Sequence, residues 1–168
     1  MISILIPLYN GIKFLPQCLR SVKSQTFKDW EVIVGVNGHN IDSDIFKQAK
    51  NFESDKIRVI HYNTKGKPNT QNAMINDCKY DLIALLDVDD FWHPTKLQKQ
   101  IKLINDYDVV GTWCYYVYDK KISNTIPNLP NGIITDVFSY NPLINSSLLL
   151  RKAYCKWENI ILDDYELT

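Results

Sequence analysis

Apolar residues in this chain fall into short unbroken runs, separated by segments whose apolar positions recur at helical spacing. The run Ile2–Leu8 reads as a strand closed by Pro7 and Asn10-Gly11. Ile12, Leu15, Leu19 and Val22 then repeat as one face of a helix, with Pro16 tolerable because it lies in the first turn. Residues 30–36 predict a second strand, closed by Asn37-Gly38. Ile45, Phe46, Ala49 and Phe52 predict a helix that Asp42 or Asp44 can cap. Ile57–Tyr62 is a third strand, followed by a polar loop over 64–69 and a helix from Pro68 or Asn69 to Cys78.

The fourth run, residues 82–86, ends abruptly in Asp87-Val88-Asp89-Asp90. Carboxylates this close repel one another and are costly to desolvate unless a cation or water answers them. A hard divalent ion with phosphate on its other face is a natural answer. Pro94 fits the first position of the next helix, whose buried stripe is Leu97, Ile101 and Ile104. Beyond it the regular alternation loosens. Residues 108–118 predict a strand, 119–130 a hairpin or exposed loop, 145–150 a last strand, and 152–168 a partly helical tail. Strands alternating with helices imply βαβ units and a mainly parallel sheet, in which ligands bind beyond the carboxyl ends of the strands.

The length of 168 residues and a 45% hydrophobic composition suit one domain with a substantial core. Formal net charge is zero, which argues against a general nucleic-acid binder. Cys18, Cys78, Cys114 and Cys155 are widely spaced among apolar residues and read as small core residues, not as a disulfide framework or a zinc site. The N-terminus enters a strand without a basic region or cleavage site, so no signal peptide is expected. No apolar stretch is long enough to cross a bilayer. A cytoplasmic location is expected, with peripheral membrane contact left open.

The opening ISILIPLYN, the block SVKSQTFKDWEVIVGVNG and the segment LIALLDVDDFWHPTKL together resemble the GT-A glycosyltransferases of family 2. NPLINSSLLLRK and LDDYEL are similar to that family's second half. The resemblance implies a Rossmann-like, mixed but mainly parallel α/β fold. It implies one domain, with 1–106 as the nucleotide-binding half and 107–168 as a short acceptor-side half. The implied reaction moves a sugar, with inversion, from a nucleoside-diphosphate donor (UDP the first guess) to a glycan or other hydroxyl acceptor, with Mn2+ or Mg2+. Carried over by residue, Asp87 and Asp89 match the D-x-D, Asp89 being the carboxylate that meets the metal. Pro7, Tyr9 and Asn10 match the loop that lines base and ribose, and Val88 lies inside the D-x-D. Asn37 stands where an acidic residue normally reads the base. Asp164 matches the general base, with Asp163 beside it as the fallback.

D-x-D occurs three times. Asp42-Ser43-Asp44 reads as a helix cap and Asp106-Tyr107-Asp108 as a turn; only the middle copy follows a buried strand and precedes a helix. His93 reads as a residue at the start of that helix, and Arg151 as a surface charge that could face an acceptor. Asn37 carries both an acceptor and donors, so it suits uracil but does not exclude cytosine. Gln71 stands where many relatives have an arginine that reaches the diphosphate, leaving Lys65 or Lys67 to supply charge there. Asp163-Asp164 could equally cap a terminal helix. The chain stops soon after Asp164, which leaves a minimal enzyme and a domain of a longer protein both open. Two rivals stand beside the transferase. A nucleotidyltransferase would need a glycine-rich basic loop after the first strand, which is missing. A non-catalytic nucleotide-sugar or glycan-binding domain would account for Asn37 and Gln71.

Overall fold

The computed structural model describes residues 1–119, 121–123 and 143–157. Strand β1 (Ile2–Leu8) leads through a single helical turn into helix α1 (Leu15–Lys23), with Pro16 in its first turn. Strand β2 (Trp30–Asn37), helix α2 (Asp44–Lys50), strand β3 (Ile57–Tyr62), helix α3 (Lys67–Asn76) and strand β4 (Leu82–Leu85) follow. Helix α4 (Lys96–Gln100) precedes the short strands β5 (Val109–Val110), β6 (Val117–Tyr118) and β7 (Lys121–Ile122), and strand β8 (Leu149–Arg151) comes last.

The main sheet runs β3-β2-β1-β4-β8-β5. The first four of these strands are parallel, whereas β8 lies antiparallel between β4 and β5. Successive crossovers from β1 step outward to β2 and β3, and the chain then returns to place β4 on the other side of β1. The carboxyl ends of β1 and β4 therefore flank a topological switch point, where an open α/β sheet leaves a crevice.

Side chains alternate across this sheet. Ile2, Ile4, Ile6, Leu8, Val32, Val34 and Val36 point to one face, where they pack with Leu15, Leu19 and Val22 of α1, Ala49 of α2 and Leu97 of α4. Leu5, Ile33, Ile83 and Leu85 point to the other face, against Met74 and Ile75 of α3. At Gly35 the approach of α3 is so close that a Cβ would lie 2.5 Å from Met74 Sδ. On the face of Leu5 and Ile33, at the amino-terminal end of the strands, Glu31 is buried and accepts from Ser3 Oγ at 2.7 Å, Lys79 N at 2.8 Å and Arg58 Nη2 at 3.2 Å.

Several local expectations are corrected. The cap of α2 is Ser43, not Asp42 or Asp44: its hydroxyl accepts from Phe46 N at 3.3 Å while its carbonyl accepts from Lys47 N. Asp44 is instead the first helical residue, where its charge still suits the helix dipole. Pro94 lies outside α4, because its carbonyl is held by Thr26 N at 2.8 Å and the helix begins after Thr95. Of the expected strand over 108–118, only Val109–Val110 joins the main sheet; Val117–Tyr118 pairs with Lys121–Ile122 in a separate hairpin. Asn145–Ser147 is a helical turn, and the strand expected from 145 begins only at Leu149. Cys18 and Cys78 are core residues, but Cys114 and Cys155 are only half-buried.

Replacing Glu31 by alanine strands Arg58 and the Lys79 amide. The expected loss in unfolding free energy is about 2–3 kcal/mol, reduced from the fully buried case because Arg58 and Lys79 keep contact with water. Urea denaturation checks it; an unchanged midpoint would contradict the role given to Glu31.

Candidate functional site

The acidic turn is fixed from below before it faces solvent. Leu86 N still bonds to Leu5 O, so the backbone leaves the sheet only at Asp87. Asp87 N donates to Ser146 Oγ at 2.9 Å, and Asp90 N closes the turn on Asp87 O at 3.0 Å. Ser146 is itself held by Trp92 Nε1, which donates to its carbonyl at 2.7 Å. The buried Gln25 ties α1 to the far side of the turn, donating to His93 O at 2.9 Å and accepting from Leu97 N at 3.1 Å. The polar turn Asn145–Ser147, which runs into β8, thus positions the acids that leave β4.

The carboxylates differ in their surroundings. Asp87 is clasped by Lys67 Nζ, 2.9 Å from Oδ1 and 3.0 Å from Oδ2, and Asn145 Nδ2 donates to Oδ1 at 2.9 Å. Asp89 is exposed and makes no hydrogen bond or ion pair among the described residues. Desolvation, then the neighbouring charges of Asp87 and Asp89, push the Asp90 carboxyl above its usual range, against a hydrogen bond from Ser146 and the charge of Lys67. Burial, and then these three acids, push the Cys18 thiol beneath them strongly up, so it stays protonated and inert.

Above the turn lies a cleft of about 760 Å3. Its lining comes from the ends of three parallel strands and one helix: Pro7, Tyr9 and Asn10 after β1; Asn37 and Gly38 after β2; Lys65, Gly66 and Lys67 entering α3; Asp87, Val88 and Asp89 after β4. The Tyr9 ring lies over Gly38, where a Cβ would sit 2.6 Å from Tyr9 Cε2 and φ is +70°. The His39 ring stacks with the Tyr9 ring at 5.1 Å between centroids, and its Nε2 meets Tyr9 O. Asn37 is only 3% exposed, lines the cleft, and has no hydrogen-bond partner for its side-chain amide among the described residues. The amide borders the cleft and is open to whatever enters it, water or ligand.

The structure therefore brings Pro7, Tyr9, Asn10, Asn37, Lys67, Asp87, Val88 and Asp89 to one cleft. Gln71 is not among the lining residues. It is buried on the stripe of α3 that also carries Met74 and Ile75, and its Nε2 has no partner among the described residues. His93 is exposed and accepts from Thr95 N at the entry to α4. Arg151 is tied to Ile104 O and Asp108. Asp163 and Asp164 lie outside the described residues, but Asn72 clasps Trp157 upstream of them, donating to its carbonyl at 2.6 Å and accepting from its amide at 2.9 Å. Sequence reasoning missed Asn145 and Ser146, whose only local signal is the polar Asn-Ser-Ser cluster ahead of an apolar run. No three His, Cys, Asp or Glu side chains converge on an ion site among the described residues. The donor set at the turn is hard oxygen and too small to enclose an ion alone, so it fits an ion shared with phosphate and water.

Residues 3–146 match the family described as glycosyl transferase family 2. Among curated proteins, the chain is 33% identical over 111 residues to an uncharacterized glycosyltransferase of Nostoc sp., covering 66% of this chain and 34% of that protein. It is 29% identical over 164 residues to the UDP-Glc:alpha-D-GlcNAc-diphosphoundecaprenol beta-1,3-glucosyltransferase WfaP of Escherichia coli, covering 97% of this chain and 61% of that one. The chain thus spans about a third of the Nostoc protein and under two thirds of WfaP. Among solved structures, S. aureus TarS 1-349 superposes with a TM-score of 0.60 at 19% identity, covering 90% of this chain and 47% of that one. The mannosyltransferase PcManGT from Pyrobaculum calidifontis, in complex with GDP-Man and Mn2+, gives 0.55 at 18% identity over 66% of this chain and 33% of that one. These likenesses establish the fold.

Two outcomes follow from the supports around the turn. Gly38→Ala forces a left-handed backbone and a ring clash together, and should destabilise the protein by about 1–2 kcal/mol while displacing Tyr9; a thermal melt with Tyr9 fluorescence reads both. Lys96 in α4 is buried over Trp92, 4.1 Å from its ring centroid, with Nζ donating to Gln100 Oε1 at 2.8 Å. Burial lowers its ammonium from 10.5 to about 7. Between those values the unfolded chain binds the proton and the folded one does not, so this site's contribution rises with pH; its penalty is full below about pH 7. The stability of Lys96→Met relative to wild type should therefore be most favourable on the acid side and decline as pH rises. Urea titrations at about pH 6 and about pH 9 check it, and a difference independent of pH would contradict it.

Proposed function

The chain belongs to glycosyl transferase family 2, and on that footing we propose that it transfers a sugar, with inversion, from a nucleoside-diphosphate donor to an acceptor hydroxyl. The observation that carries this reading is the cleft at the switch point, lined by the Asn37 amide and the Tyr9 ring together with the acidic turn. Tyr9 has the apolar face and polar end that suit stacking on a base. Asn37 can accept from a uracil N3–H and donate to a ring carbonyl. A uridine donor is the first assignment; S. aureus TarS has been solved with UDP and with UDP-GlcNAc, and WfaP is named for a UDP-glucose donor.

Asp89, which has no partner among the described residues, and Asp87 would hold Mn2+ or Mg2+. When bound, such an ion supplies Lewis-acid neutralisation of the charge that grows on the departing diphosphate. Residues 1–106 serve the donor and 107–168 the acceptor. Asp164, or failing it Asp163, takes the proton from the acceptor hydroxyl. The acceptor oxygen then bonds to the anomeric carbon as the bond from that carbon to the diphosphate oxygen breaks, and a single displacement inverts the centre. The acceptor is a glycan or another hydroxyl compound, and nucleic acid is not a partner. No helix among the described residues is long and apolar enough to cross a membrane. We place the domain in the cytoplasm, where free thiols persist.

A thermal-shift panel of nucleoside diphosphates and their sugars, with and without Mn2+, tests the donor site, since a ligand of the folded state raises the melting point. Asp89→Ala should lose the metal-dependent part of the shift. Unchanged metal-dependent affinity would refute its role. Product analysis then separates the chemistries: free nucleoside diphosphate for glycosyl transfer, pyrophosphate for nucleotidyl transfer. Donor binding without turnover, indifferent to Asp164→Asn, would leave only a binding domain.

A further inference from the structure

We propose that Lys67 is an exchangeable counter-ion: it neutralises Asp87 while the cleft is empty, and passes to the donor's diphosphate when a divalent ion takes Asp87. The proposal rests on the donor-site reading above and adds a role for a residue of this chain.

The geometry makes the two cations mutually exclusive. Lys67 Nζ lies 2.9 and 3.0 Å from the two carboxylate oxygens of Asp87, covering the atoms an ion would need. An ion at those oxygens would face an ammonium at close range, and like charges at that separation repel strongly. Lys67 must then leave, and it can do so at little cost. Its side chain is 37% exposed, it carries no other hydrogen bond among the described residues, and a partly exposed ion pair is weak. It stands at the first position of α3, after Gly66 in its cap position, on a flexible four-carbon stem. Lys67 and Asp87 line the same cleft, so the departing ammonium stays where the phosphates would lie.

The rest of the site supports an exchange over a permanent pair. Asn145 Nδ2 remains on Asp87 Oδ1 at 2.9 Å, so the carboxylate keeps one fixed donor when lysine goes. Asp89 has no partner to surrender among the described residues. Among the residues lining the cleft the only cations are Lys65 and Lys67, and Gln71 is buried in the face of α3 against the sheet. Of the two lysines, only Lys67 is already drawn in to the acidic turn.

The test needs two binding measurements on the same variants. Mn2+ alone is titrated by the EPR signal of the free ion. UDP, or GDP where the wild type prefers it, is titrated calorimetrically with Mn2+ present. Lys67→Met should bind Mn2+ alone roughly five-fold more tightly, since its competitor is gone. The same variant should bind the nucleoside diphosphate roughly ten-fold more weakly, since a charged donor to phosphate is lost. Lys67→Arg should stay near wild type in both. Equal or undetectable Mn2+ binding in wild type and Lys67→Met overturns the exchange, as does a variant weaker in both titrations, which would make Lys67 a mere support. A wild type that takes up neither nucleotide refutes the donor site itself, while its Mn2+ titration still reports on Lys67 and Asp87.

Discussion

Asp87, Asp89 and Asp90 crowd one tight turn at the edge of a hydrophobic sheet. Such a cluster is sustainable only where donors and cations meet it. Residues from several parts of the chain converge to meet that condition. The Asn145–Ser147 turn brings Ser146 under Asp87 N and Asn145 onto the Asp87 carboxylate. Trp92 and Gln25 hold the turn from behind. Lys67 arrives from across the cleft on the first turn of α3. Asp87 is matched by Lys67 and Asn145, whereas Asp89 and Asp90 are exposed, so charge is distributed unequally in a way that suits an incoming cation.

The same economy of position governs the other end of the cleft. β1 and β2 are buried along nearly their whole length, and what they offer to solvent is confined to the residues at their carboxyl ends. Gly38 lets the chain turn directly against Tyr9, and the His39 ring stacks with it. Asn37 is the last residue of β2, held in register opposite Tyr62, so its amide is placed by the sheet and not by a mobile loop. A ligand spanning base to diphosphate would touch residues separated widely in sequence but fixed by one set of parallel hydrogen bonds.

The parallel half of the fold was legible because buried strands of this kind read as unbroken apolar runs, and Asn-Gly pairs or acids mark their ends. The cleft residues after β1, β2 and β4 were legible for the same reason: the resemblance supplied roles, but strand ends supplied places. The second half resisted because Leu149–Arg151 takes its place by pairing with strands far away in sequence, which no local pattern encodes. Asn145 and Ser146 looked like the start of that strand. Ser43 lost to its acidic neighbours on paper because serine and aspartate can both cap, and only backbone conformation decides between the three positions. Gln71 lies three and four positions before Met74 and Ile75, so helical periodicity turns it toward the sheet.

The most direct test of the central claim is where an ion and a diphosphate settle together. Manganese anomalous scattering from a crystal grown with UDP and Mn2+ reads this without reference to activity. The predicted result is a peak bridging Asp89 and the diphosphate, with the base beside Tyr9 and Asn37. Ion and phosphates lodged elsewhere, with Asp87 still clasped by Lys67 and Asp89 facing only solvent, would contradict it.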